Sequence, residues 1–262
     1  LSIVGVFDSG IGGLSILNEA LIQAPQHHYL YLADSANAPY GEKSSDWVSD
    51  RSLKLCSWLV DQGAQSVVVA CNTATAQAIA RIREKYPNIP IIGVEPGIKP
   101  ASNLSKTKVV GVLATQSTLN SEKFKLLLSS LTQDCEFIQQ AGHGLVPLIE
   151  HGILEGDELS QLLHQYIDPM ISMGADTLVL GCTHYPFLQE TINKLFRDQL
   201  QIIDTSQAVV RQLNRFIKDE ELINLGSLDL YSTINGDSLL QLAKKLLSQH
   251  FQKPALAYTV SI

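Results

Sequence analysis

Two segments of this chain end an apolar run on a lone cysteine: "GAQSVVVACNTAT" at 63–75 and "GADTLVLGCTHYP" at 174–186. In both, residues that read as a buried strand give way to capping types and then to a helical pattern. After Cys71, Asn72 and Thr73 are expected to cap a helix rich in Ala and Ile. After Cys182, Thr183 is expected to cap while Pro186 occupies the first turn. A helix N-terminus carries unpaired N–H groups and a partial positive charge. A thiol placed there, which would otherwise titrate near ~8.5, shifts toward thiolate and becomes a base or nucleophile near neutral pH. The same N–H groups can hold a carboxylate. One such cysteine would suggest a nucleophile. Two in matching settings suggest a pair working on one substrate from opposite sides. Inverting a carbon that bears hydrogen means taking a proton from one face and returning one to the other, and two fixed bases do this without either swinging around the carbon.

The other cysteines, Cys56 in "SLKLCSWLV" and Cys135 in "TQDCEF", carry no supporting motif, and read as a small buried hydrophobe on a helix and a residue near a strand start. Four cysteines in 262 residues with no CxxC pair argue against a disulfide framework or a structural zinc site, and no metal is expected. The chain is 45% hydrophobic and 17% charged, which suits a compact folded protein. Its net charge is −7 with no basic block, so a nucleic-acid partner is not expected. No apolar run approaches the roughly 18 residues of a membrane span. The opening "LSIVGVFDSG" reads as strand and loop without the basic start of a signal peptide, and a cytoplasmic location is expected.

The elements that must position the two sulfurs follow from periodicity. Strands are predicted at "SIVGVF", "HYLYLA", "SVVVA", "IIGV", "VVGVLA", "TLVLG", "QIID" and "LYST". Helices are predicted at "SILNEALIQA", "TATAQAIARIREKY", "STLNSEKFKLLLSSL" and "LQETINKLF". Such alternation implies parallel sheets covered on both faces, with reactive groups beyond the carboxyl ends of the strands. "IVGVFDSG" is similar to "VVGVLATQ", with Gly5 answering Gly111, and each precedes its cysteine by a comparable distance. Two related α/β halves are the economical interpretation. "GVEPGIKPAS" at 93–102 is the expected first crossover, and a second is expected near "DTSQ" at 204–207. Helix "AVVRQLNRFI" and strand "LYST" have no counterpart in two repeats and are expected to return to the first sheet. The expected domains are therefore 1–97 with 207–262, carrying Cys71, and 98–206, carrying Cys182.

At "FDSGIGGLSIL", "YLADSANAPYGEKS", "ACNTATA", "GVEPGIKPA", "GVLATQST", "LVPLIEHG" and "LGCTHYP" the sequence resembles the cofactor-independent glutamate racemases of bacterial cell-wall synthesis. The segments follow the family's order up to about residue 206, while the tail matches only in general character. The resemblance implies two pseudo-symmetric flavodoxin-like α/β domains with parallel sheets and an active site in the inter-domain cleft. It implies L- and D-glutamate as substrates, no cofactor, and a homodimer. It makes Cys71 the base on the D-enantiomer and Cys182 the base on the L-enantiomer. Asp8 and His184 match groups that attend the first and second thiol, and Asp34 and Glu150 match supporting acidic positions. Ser9, Tyr40, Gly41, Asn72, Thr73 and Thr183 match substrate-binding positions, as do Asp8 and His184 themselves. Thr115 and Thr118 are placed at the carboxylate from the second domain.

Each of these residues has a plainer reading. Asp8 could cap the helix after "SGIGG", Asp34 could be a turn residue, His184 a capping or surface histidine, and Glu150 a solvated helix end. His143, His151 and His164 read as structural or surface residues. "GIGGLS" after a strand hints at a phosphate loop, but the third glycine of GxGxxG and any GK[ST] are missing. A thiol hydrolase built on Cys182 and His184 would leave Cys71 unexplained. A CX5R phosphatase loop would need arginine where Gln77 and Leu188 stand. A related two-cysteine racemase acting on aspartate or another acid is the nearest alternative.

Overall fold

A computed structural model of the chain describes residues 2–132, 135–197, 199–217, 226–247 and 255–262; Leu1, in the opening strand-and-loop segment, and two residues of "TQDCEF" lie outside them. The described chain forms two compact units, Leu1–Val94 with Ser206–Ile262, and Glu95–Thr205. The first unit begins β1 (Ile3–Asp8), α1 (Leu14–Gln23), β2 (His28–Ala33), α2 (Ser45–Asp61), β3 (Ser66–Val69), α3 (Asn72–Lys85) and β4 (Ile91–Gly93). The second holds α4 (Ile98–Leu104), β5 (Val109–Ala114), α5 (Gln116–Asn120), α6 (Glu122–Ser129), β6 (Glu136–Ala141), α7 (Leu145–Glu150), α8 (Asp157–Ser172), β7 (Thr177–Gly181), α9 (Gln189–Phe196) and β8 (Gln201–Ile203). The chain then returns to the first unit with α10 (Ser206–Leu213), β9 (Leu228–Ser232), α11 (Gly236–Leu246) and β10 (Ala255–Thr259).

Both sheets are parallel, ordered β10-β9-β2-β1-β3-β4 and β6-β5-β7-β8. The order β2-β1-β3-β4 matches β6-β5-β7-β8, so β3 and β7 are counterparts and each leads into a cysteine. Every residue of β3 and of β7 is buried, which is why both read as continuous apolar runs rather than alternating ones. Gly5 and Gly111 occupy the same place in the two patterns, Gly5 opposite Leu30 and Val67, Gly111 opposite Ile138 and Leu178. A Cβ on Gly5 would lie 3.2 Å from Leu59 of α2, and one on Gly111 would lie 2.5 Å from Met170 Sδ of α8. Each central strand thus gives up a side chain so that its covering helix can come close.

Several elements differ from the expectations. The single helix expected over "STLNSEKFKLLLSSL" is broken at Ser121, whose backbone turns extended and whose hydroxyl caps α6 by accepting from Phe124 N–H at 3.2 Å. Strand β10 and helices α4, α7, α8 and α11 are additional to the expected set, while β6 begins at Glu136, directly after Cys135, the residue read as lying near a strand start. Like β6, β10 lies at a sheet edge, where half-exposed residues blur the apolar pattern. Each unit has its own apolar cluster, one including Phe7, Leu55, Leu59 and Val69, the other Val110, Val112, Phe124 and Val179. Among the described residues no helix is long and apolar enough to cross a membrane.

At the amino end of the second sheet, Asp176 ties the lead-in to β7 to the turn before β5. Its carboxylate accepts from Ser105 Oγ at 2.6 Å, Lys106 N–H at 2.7 Å, Thr107 N–H at 3.0 Å and Thr177 Oγ1 at 2.9 Å. Partial burial opposes its charge, but these donors outweigh that and lower its pKa to about 2. A depressed carboxylate stabilises above its ordinary value of 3.8, and that contribution is lost as pH falls through about 2. Asp176→Asn is expected to lower stability near neutral pH by on the order of 1 kcal/mol, an amount discounted for solvent access. The gap from the parent should narrow between pH 4 and pH 2; thermal unfolding across that range checks it.

Candidate active site

In the first unit the site is assembled at the carboxyl ends of β1, β2 and β3. Ala70 N–H donates to Phe7 O at 2.8 Å, so the turn carrying Cys71 leaves the sheet beside Asp8. Cys71 itself is the N-cap of α3: its backbone is extended, and its sulfur accepts from Ala74 N–H at 3.4 Å. This corrects the expected capping by Asn72 and Thr73, which instead form the buried first turn of the helix. The sulfur is thus held by one of the unpaired donors of that turn, where negative charge is supported. Its S–H donates to Ser9 Oγ, with the sulfur 3.8 Å from that oxygen.

Asp8 does not cap α1, whose N-cap position is Gly13 with no side-chain bond. Its Oδ2 accepts from Gly10 N–H at 3.1 Å, while Tyr31 OH donates to Gly10 O at 2.8 Å, so both backbone groups of Gly10 are tied. A Cβ on Gly13 would sit 2.8 Å from Asp8 Cβ, which explains a glycine there. Asp34 follows β2, fully buried, with its carboxylate engaged by Arg51, Tyr40 and Asn37. Tyr40 packs in the same apolar cluster as Cys71. Burial, then the Asp34 carboxylate, push its phenol far above the ordinary range, so it remains a neutral donor. Gly41 shares its short 3-10 turn, Tyr40–Glu42. Asn72 Nδ2 is buried and has no hydrogen-bond partner among the described residues.

In the second unit, Cys182 follows β7, but the helix expected after it is delayed. Thr183 does not cap; a 3-10 turn, Tyr185–Leu188, comes first with His184 at its N-cap position and Pro186 inside, and α9 starts only at Gln189. The sulfur of Cys182 lies 3.7 Å from His184 Nδ1, and His184 Nε2 lies 2.6 Å from Glu150 Oε1 at the end of α7. Burial works against an imidazolium at His184, but Cys182 and Glu150 outweigh it and raise its pKa well above 6.5. The imidazole can therefore carry a proton beside the sulfur at neutral pH. Tyr185, buried beneath, donates to Gly142 O at 3.2 Å. Thr115 caps α5, accepting from Thr118 N–H at 3.2 Å and donating to Thr118 Oγ1 at 2.9 Å.

The first unit thus gathers Asp8, Ser9, Asp34, Tyr40, Gly41, Cys71, Asn72 and Thr73, and the second gathers Glu150, Cys182, Thr183 and His184, with Thr115 and Thr118 at the end of β5. Cys56 and Cys135 are different in kind. Burial pushes the Cys56 thiol up to about 12, and Cys135 donates to Lys108 O at 3.2 Å. His151 bonds its own helix at Pro147 O and exposed His164 faces Asp168, while the His143 carbonyl accepts from Tyr166 OH at 2.8 Å. Arg51 and Tyr185 were not among the expected site residues. Neither stands in a motif that pairs it with Asp34 or Gly142.

The family described as Asp/Glu/hydantoin racemase matches residues 14–213. The chain belongs to that family. It is a racemase, an isomerase by class. A glutamate racemase of Ralstonia pickettii is 56% identical over 212 residues, covering 81% of this chain and 75% of that protein. One of Cupriavidus pinatubonensis is 49% identical over 258 residues, covering 97% and 94%. The crystal structure of Escherichia coli glutamate racemase, in complex with L-glutamate and the activator UDP-MurNAc-Ala, superposes with a TM-score of 0.84 at 28% identity, covering 99% of each chain.

Glu150→Gln removes the negative partner of His184 and is expected to lower the imidazole pKa. Histidine-resolved NMR titration reads it directly. A raised folded pKa means the pair stabilises fully below 6.5 and loses this as pH rises through the folded value. The stability lost in Glu150→Gln, on the order of 2 kcal/mol, should be largest at acid pH and shrink on the alkaline side.

Proposed function

We propose that this racemase interconverts L- and D-glutamate by a two-base proton transfer at the α-carbon, with Cys71 and Cys182 as the bases and no cofactor. The observation that carries this reading is the placement of a sulfur at the same strand end of two units of matching topology, each with its own groups for charge and protons. The relatives that cover nearly all of this chain carry the name glutamate racemase, and the Escherichia coli structure holds L-glutamate.

In the proposed reaction on L-glutamate, Cys182 as thiolate takes the α-proton, breaking the Cα–H bond and leaving the electron pair on the α-carbon. The Cys71 S–H then donates to the opposite face, giving D-glutamate. The enzyme ends with Cys71 as thiolate and Cys182 protonated, which is the state required for the reverse direction. On the Cys182 side, His184 with Glu150 can adjust protonation. On the Cys71 side, the Ala74 N–H supports the sulfur and Asp8 stands beside it on the neighbouring strand end. The unpartnered Asn72 Nδ2 offers a donor that a substrate carboxylate would satisfy, since a buried donor left unmade costs about 1–3 kcal/mol. Tyr40, Gly41, Thr73 and Thr183 stand as further contacts, and Thr115 and Thr118 as a polar turn for the distal carboxylate. The weakly acidic α-proton is then handled by close positioning and by fixed donors aimed at the developing charge. Supply of D-glutamate for peptidoglycan is the role that goes with this activity.

Chiral analysis of products from L-glutamate and from L-aspartate is expected to show efficient turnover of glutamate alone; turnover of aspartate with none of glutamate rejects the substrate. Cys71→Ser and Cys182→Ser are each expected to keep the parent's circular dichroism and to lose full racemisation by at least about a thousandfold, as expected when one member of a cooperating pair is removed. Solvent deuterium incorporation at the α-carbon should become confined to one enantiomer in each variant. Incorporation into both at near-parent rates would remove the thiols from the mechanism.

A further inference from the structure

Asp34 poses a problem that the proton transfer does not solve. It is fully buried at the carboxyl end of β2, and a buried carboxylate needs a compensating charge and donors. Arg51, from the middle of α2, supplies both: Nε donates to Asp34 Oδ2 at 2.8 Å and Nη2 to Oδ1 at 2.6 Å. Its remaining arm, Nη1, donates to the carbonyl of Ile262 at 2.5 Å, in the run that follows β10. On its other side, Asp34 Oδ2 accepts from the Tyr40 hydroxyl at 2.5 Å, and Asn37 Nδ2 donates to both carboxylate oxygens, at 3.0 and 3.2 Å.

Segment 35–43 consists of two short 3-10 turns, Ser35–Asn37 and Tyr40–Glu42, with no strand or long helix to fix it. Side-chain bonds help to fix its place: Asn37 and Tyr40 donate to Asp34, and Ala36 N–H donates to Thr233 Oγ1 at 3.0 Å. The second turn packs against α3, and Tyr40 joins the cluster that contains Cys71. We propose that Arg51 is a positioning residue for the reaction: its two-pronged grip on Asp34 holds the Tyr40–Gly41 turn against the helix that Cys71 caps. The proposal rests on the function proposed above, since Tyr40 and Gly41 matter here as substrate contacts. A purely structural ion pair would be expected to act on the whole unit. This one acts on a short segment at the strand ends, where ligands bind in parallel sheets. It also uses the planar fork that lysine lacks.

The test compares the parent with Arg51→Met and Arg51→Lys. In Arg51→Met, KM for both glutamate enantiomers is expected to rise by at least about tenfold while kcat stays within about threefold, the signature of lost positioning rather than lost chemistry. Arg51→Lys keeps the charge without the fork and should recover only part of the loss. Hydrogen exchange followed by mass spectrometry should show faster exchange concentrated in 35–43 in both variants. A folded Arg51→Met with KM within about threefold of the parent, or acceleration spread evenly over the first unit, overturns the proposal. If Arg51→Met does not fold, Arg51→Lys decides by the same two readouts. If the parent fails to racemise glutamate, the proposed function falls, and the exchange pattern still decides whether Arg51 fastens the turn.

Discussion

A parallel strand buried on both faces has to leave the sheet abruptly, and the groups at that corner cannot all be paired within the sheet. In each unit of this protein the corner after β3 or β7 is occupied by a cysteine. Backbone donors that the strand no longer uses, and that a helix has not yet taken up, are free to act on whatever stands there. The rest of the architecture packs closely around the strands that lead into this corner. The covering helices approach closely over Gly5 and Gly111, and β3 and β7 are sealed on both faces.

The two corners are related in topology but not in chemistry. At Cys71 the sulfur takes the place of a capping side chain and receives a backbone N–H. At Cys182 the helix is postponed by a 3-10 turn, and an imidazole backed by a carboxylate takes over the work. The two units thus share a sulfur position, while the groups beside it differ, a backbone N–H at Cys71 and His184 with Glu150 at Cys182. The backbone solution depends only on the local chain; the imidazole solution depends on Glu150 arriving from a different helix.

Asp34 shows how a buried charge can be both a cost and a tool. Removing a carboxylate from water is unfavourable unless it is fully engaged, and here four neighbouring groups engage it at once, counting both Arg51 nitrogens. That engagement orders a segment that has little regular structure of its own.

Much of this was legible in the chain alone. The apolar runs ending at Cys71 and Cys182 announced parallel strands, because burial on both faces leaves no room for polar residues. The similarity of "IVGVFDSG" to "VVGVLATQ" announced the duplication, because a glycine under a covering helix recurs wherever that packing recurs. Edge strand β10 was not legible, since half-exposed residues need not be apolar, and of β6 only its start near Cys135 was. Nor was the break at Ser121, where a good cap interrupts a pattern that is helical on both sides. The cap at Cys71 itself, the delay after Cys182, and the pairings of His184 with Glu150 and of Arg51 with Asp34 were decided by tertiary structure. Periodicity reports which residues share a face of one element; it carries no term for which side chains meet when separate elements pack, and hydrogen-bond geometry is settled only there.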